Sequence, residues 1–76
     1  MIRWGILGLG KAANSFANAI KELDNAKLVS TASLSKNKNL IFAKKFNISK
    51  DNQFNSYEDL INSKSLDAIY IATLNN

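Results

Sequence analysis

The sequence predicts an α/β fold built on a parallel sheet. Short apolar segments alternate with amphipathic segments of helical period, the pattern of right-handed βαβ units. The first segment, Ile2-Arg3-Trp4-Gly5-Ile6-Leu7, is apolar almost throughout, which suits a strand covered on both faces. It is broken at Gly8 and Gly10, directly before the first helical pattern begins.

Each element has its own signal. Met1 to Leu9 reads as the first strand, and Gly8, Gly10 and Lys11 as the turn after it. From Ala12 to Leu23, Ala13, Phe16, Ala17, Ile20 and Leu23 recur at helical spacing with polar residues between them. Asp24-Asn25 is a turn, and Lys27 to Ala32 is a second strand rich in β-branched residues. After a polar loop, Ser33 to Asn37, a helix is expected over Lys38 to Phe46. Its buried stripe should be Leu40, Ile41, Ala43 and Phe46. Asn47 to Asn55 reads as loop with a short strand at Gln53-Phe54. Ser56-Tyr57-Glu58-Asp59 is a variant capping box opening a short helix through Ile61 or Asn62, with Tyr57, Leu60 and Ile61 buried. Leu66 to Ala72 is the last strand, and Trp4 and Tyr70 read as core side chains of their strands.

Composition excludes several chemistries. With 76 residues the chain is one domain or part of one. It has no cysteine and no histidine, so disulfides, thiolate or imidazole metal sites and histidine-based catalysis are all ruled out within it. No metal site is expected. Apolar stretches are too short to span a membrane and no secretory leader is visible. A reducing, cytoplasmic setting fits best. The net charge is +4, but the lysines are scattered and lack the arginine and aromatic interleaving of nucleic-acid binders. They read as solvated faces, with neither nucleic acid nor membrane as partner.

One motif carries chemistry. Gly8-Leu9-Gly10-Lys11-Ala12-Ala13 is G-x-G-x-x-A, placed between a strand and a helix that leads to a second strand. Gly8 permits the sharp turn, Gly10 lets backbone approach a pyrophosphate, and Ala13 keeps the helix close to the strand. The free N–H groups of the helix start then face the phosphates. Lys11 reads either as a solvated loop lysine or as a phosphate contact. The acidic residue that would grip a ribose about 20 residues further on is missing. Ser33-Leu34-Ser35-Lys36 stands there instead. Hydroxyls and lysines there either form an ordinary polar loop or favour a 2′-phosphate.

The whole chain resembles the amino-terminal part of the glucose–fructose oxidoreductase / inositol dehydrogenase (Gfo/Idh/MocA) family. The matching blocks are R-W-G-I-L-G-L-G-K-A-A, K-L-V-S-T-A-S-L-S-K, F-A-K-K-F, N-S-Y-E-D-L and D-A-I-Y-I-A-T-L-N-N. The resemblance implies the βαβαβ half of a Rossmann-like parallel sheet, strand order 3-2-1-4, over residues 1–76. The rest of that domain and a substrate domain would lie outside the chain. It implies an NAD(P)-dependent oxidoreductase acting on sugars, polyols or dihydrodiols, and a homo-oligomer. NADP is expected as the preferred cofactor and NAD as the second. The resemblance matches Gly8, Gly10, Lys11, Ala12 and Ala13 to the pyrophosphate loop, and Ser33, Leu34, Ser35 and Lys36 to the segment that handles the adenosine ribose or its phosphate. Thr73, Leu74 and Asn75 match a segment beside the cofactor after the fourth strand.

Three departures stand out. Leu34 replaces an arginine, Ala12 a larger aliphatic residue and Leu74 a proline. The family's catalytic lysine segment would fall beyond Asn76, so no catalytic residue is assigned here. The alternative function is a non-catalytic nucleotide-binding or sensing module.

Overall fold

The computed structural model describes residues 1–72; the expected cofactor contacts Thr73, Leu74 and Asn75 lie outside the described residues. The elements follow in the order β1 (Ile2–Leu7), α1 (Lys11–Lys21), β2 (Ala26–Ala32), α2 (Lys36–Phe46), a 3-10 turn (Lys50–Asn52), β3 (Gln53–Phe54), α3 (Tyr57–Ile61) and β4 (Ala68–Ile71). The four strands form one sheet of order β3-β2-β1-β4, and every pairing is parallel. This is the expected order. Its reversal beside β1 opens a crevice at the carboxyl ends of the strands.

Both faces of β1 are covered. Ile6 packs with Ala13 and Ala17 of α1 and Phe42 of α2. Leu7 points the other way, into a cluster with Ala32 and Leu60 of α3. Helices α1 and α2 therefore share one face, and α3 covers the opposite one. Small residues set the spacing. Ala13 is fully buried, and a Cβ on Gly5 would lie 2.6 Å from a methyl of Leu66. The β1–β2 register slips between Trp4 and Gly5, where Leu28 and Ser30 are the partners and Val29 is the extra residue of a bulge. Aromatic rings tie three elements together. Trp4 of β1 meets Phe16 of α1 edge-on at 5.0 Å, and Phe16 stacks on Tyr70 of β4 at 4.1 Å.

The caps explain the helix limits. Ser35 accepts a hydrogen bond from the Lys38 N–H, so α2 starts two residues earlier than expected. Asn47, at φ 58, ends it in the left-handed conformation. Ser56 caps α3 by accepting from the Asp59 N–H, as the capping-box reading requires.

Two expected stripes are corrected. In α2 the buried residues are Asn39, Phe42 and Ala43, while Leu40 and Ile41 are exposed. The reason is polar pairing. Asn39 accepts from the Thr31 hydroxyl at 2.7 Å and donates to the Phe54 carbonyl at 2.8 Å, tying α2 to β2 and β3 through a polar side chain beside the buried Phe42 and Ala43. Ile61 and Leu23, expected to be buried, are also exposed: Ile61 is the last residue of α3, and Leu23 lies beyond the end of α1.

Strand β4 is anchored at its start. Arg3 donates from its backbone N–H and its Nε to Asp67 Oδ2, at 2.8 and 3.0 Å, and from Nη2 to Oδ1 at 3.1 Å. Asp67 N–H returns a bond to the Arg3 carbonyl. The Arg3 side chain, and then its backbone N–H, hold the Asp67 carboxyl down to about 2. A depressed carboxylate contributes stability above its unfolded value of 3.8, and that contribution drains away as pH falls through 2. Denaturant titrations across this window should therefore show a steeper loss of stability for the native protein than for Asp67→Asn. Parallel curves would mean that the clamp adds nothing to folding.

Candidate functional site

The turn after β1 is built from backbone constraint. Gly8 has φ 92, a conformation that side chains rarely adopt, and its N–H donates to the Ala32 carbonyl. The turn is thus tied to the end of β2 while it swings toward α1. Gly10 is different. Its φ of −89 suits any residue, and a Cβ there would meet nothing within 4 Å. Nothing among the described residues requires glycine at this position. The space over it is open to a ligand's close approach.

Gly10 is also the N-cap of α1, without a side-chain cap, and no acidic residue occupies the first turn. The free N–H groups of this helix start are unopposed by negative charge. The Asn14 side-chain amide donates to the Gly10 carbonyl and its Oδ1 accepts from Lys45 of α2. The Gly10 carbonyl also accepts the Asn14 backbone N–H, and the Lys45 contact brings a cation near the helix start.

A cleft of about 360 Å³ opens at the carboxyl ends of the strands, lined by Gly8, Leu9, Gly10, Ser33, Leu34, Ser35, Lys38, Tyr57 and Ala72. Five expected residues, Gly8, Gly10, Ser33, Leu34 and Ser35, meet there. Ala13 lies instead in the core behind the loop, which is the spacing role expected of it. Lys11, Ala12 and Lys36 are exposed and do not line the cleft.

The two serines hold the loop as well as face the cleft. Ser33 Oγ accepts from the Ser35 N–H at 3.1 Å, and Ser35 Oγ caps α2. Each hydroxyl keeps its own proton to donate. The Ser33 N–H donates to the Phe54 carbonyl, the same oxygen that receives Asn39. Tyr57 is a cleft residue that sequence reasoning placed in the core, and Asn39, buried behind the cleft, is a support that it did not single out. Asn39 had no apolar period to reveal it. Tyr57 was read as core, and its position beside Ser56 gave no sign of the cleft. Among the described residues no carboxylate lines the cleft, so the donor set suits a polyanion with a sugar attached. A more apolar hollow of about 230 Å³ lies at the other end of the sheet, between α1, the start of β2 and the end of α2.

Comparison with known proteins agrees with this geometry. The family described as an oxidoreductase family with an NAD-binding Rossmann fold matches residues 2–76. The chain belongs to that family. Trans-1,2-dihydrobenzene-1,2-diol dehydrogenase of Mus musculus is 36% identical over 74 residues, covering 95% of this chain and 22% of that protein. Scyllo-inositol dehydrogenase of Lactobacillus casei, solved with bound NAD(H) and scyllo-inositol, superposes with a TM-score of 0.86 at 24% identity, over 97% of this chain and 22% of that one. The WlbA dehydrogenase of Bordetella pertussis, in complex with NADH and UDP-GlcNAcA, gives 0.83 at 25% identity over 95% and 21%. The chain therefore spans about a fifth of the length of these relatives.

The two glycines separate by substitution. Gly8→Ala should cost about 1–3 kcal/mol in urea denaturation, because its φ is strained for any side chain. Gly10→Ala should cost under about 1 kcal/mol, close to the difference between glycine and alanine at an N-cap. An equal loss at both positions would show that Gly10 serves the fold.

Proposed function

We propose that this chain holds the cofactor in a dehydrogenase that moves hydride between a nicotinamide dinucleotide and a hydroxyl-bearing carbon of a sugar, polyol or dihydrodiol. The observation that carries this reading is Gly10. It is a glycine that no contact among the described residues needs, at a helix start without a side-chain cap, in a cleft with two serines and a lysine. The substrate class rests on family membership and on what the relatives are named for, a dihydrodiol and an inositol. Bound nicotinamide would supply the hydride chemistry. The chain's own residues bind and orient. The Gly8–Gly10 backbone and the start of α1 would receive the pyrophosphate, and Ser33 and Ser35 would donate to the adenosine ribose or its phosphate. Thr73, Leu74 and Asn75 are proposed as further cofactor contacts. Residues 1–76 are read as part of the dinucleotide-binding domain, in a cytoplasmic homo-oligomer.

The test is a fluorescence titration of NADPH and NADH against the protein and its Gly10→Asp variant. The substitution places a side chain and a negative charge where the phosphates would lie, so affinity should fall at least about tenfold, or 1.4 kcal/mol. Unchanged affinity would refute the reading.

For cofactor choice we propose a modest preference for NADP(H), with NAD(H) also used. Among the described residues no carboxylate lines the cleft to repel a 2′-phosphate, and Lys38 does line it. Leu34, standing where the family resemblance places arginine, offers neither charge nor donor, which keeps the margin small. The family description and the two solved relatives name NAD forms, which sets dual use as the other limit. NADPH should bind up to about tenfold more tightly than NADH at low salt, and Lys38→Glu should reverse the order. A native preference for NADH would overturn the proposal.

A further inference from the structure

The cleft has two chemistries. Gly8, Gly10, Ser33, Ser35 and Lys38 form a polar half, suited to phosphates and ribose. Leu34 and Tyr57 are different in kind. Leu34 is 73% exposed, in a polar loop, and its side chain is apolar. Tyr57 is half-buried; it packs against the cluster of Leu7, Ala32 and Leu60 and also lines the cleft.

The backbone brings the two together. Ser33 N–H bonds to the Phe54 carbonyl at 3.1 Å, joining the loop after β2 to the end of β3. Leu34 is the next residue in that loop, and Tyr57 follows Phe54 by three. Ser56 fixes the start of α3 by capping it, so the Tyr57 backbone is held in place.

We propose that Leu34 and Tyr57 are the walls of the seat for the adenine base, with Tyr57 supplying the flat face on which the base lies. This rests on the dinucleotide reading and names a contact within it. The end of β2 is the adenosine side of a doubly wound site, because the ribose-recognising position lies there. A wall tied to that end meets adenine; the nicotinamide half passes to the far side of the crevice. Bases bind to aromatic faces through stacking, whatever their hydrogen-bonding edges. A leucine opposite gives an apolar second surface without competing for the phosphates.

The experiment compares 5′-AMP, NADH and reduced nicotinamide mononucleotide by equilibrium titration against the protein, Tyr57→Ala and Tyr57→Phe. Tyr57→Ala should weaken 5′-AMP and NADH about tenfold and leave the mononucleotide within about twofold. Tyr57→Phe should restore both, because the ring and not the hydroxyl makes the contact. Unchanged 5′-AMP affinity in Tyr57→Ala would overturn the inference while NADH binding still upheld the dinucleotide reading. An equal loss for 5′-AMP and the mononucleotide would also overturn it, by showing that Tyr57 only supports the fold. Failure of the native protein to bind any of the three would remove the dinucleotide reading and this inference with it.

Discussion

Strand β1 is gripped from both sides, and the distance of that grip decides where the glycine loop stands. A parallel strand needs a layer on each face. Here one layer touches through Ala13 and Ala17, and the other closes on Gly5 until Leu66 and Leu60 nearly fill the place of a side chain. Larger residues at Ala13 or Gly5 would push a helix outward. The start of α1 would then move relative to the end of β1, and the Gly8–Gly10 turn with it. The aromatic contacts of Phe16 with Trp4 and Tyr70 reinforce the same spacing, since they join α1 to both β1 and β4.

The site inherits its precision from shared hydrogen bonds. The Gly8 N–H bonds to the Ala32 carbonyl, and the Phe54 carbonyl receives both Ser33 and Asn39. The ends of β1, β2 and β3 are thereby joined at the cleft. The serines act within this frame. Each accepts a backbone N–H and keeps a donor proton, so a residue that caps a helix can also meet an anion. The same economy explains why substituting Ser35 would disturb fold and site together, whereas Gly10 and Lys38 can be varied for binding alone.

Much of this was legible in the residues. The alternation of apolar runs and helical periods determined the α/β class and the parallel strands, because burial on both faces leaves its mark as a continuous apolar run; the order 3-2-1-4 came from the family resemblance and is the order observed. The G-x-G-x-x-A turn, the Ser56 cap and the lack of a carboxylate after β2 were equally plain, since each depends on neighbours in the chain. Gly8, Gly10, Ser33, Leu34 and Ser35 line one cleft; the family resemblance, and not a local pattern, had grouped them.

Only the tertiary structure decided the rest. Asn39 is buried and Leu40 exposed because the facing partners are a threonine hydroxyl and a carbonyl two strands away, and no local period records them. Tyr57 joins the cleft because the end of β3 is bonded to the loop after β2, a pairing across 21 residues of chain. Arg3 and Asp67 form their clamp across 64 residues. Apolar period reports which face of an element is covered. It carries no information about which polar group will meet which, because that depends on the sheet bringing distant backbone into register.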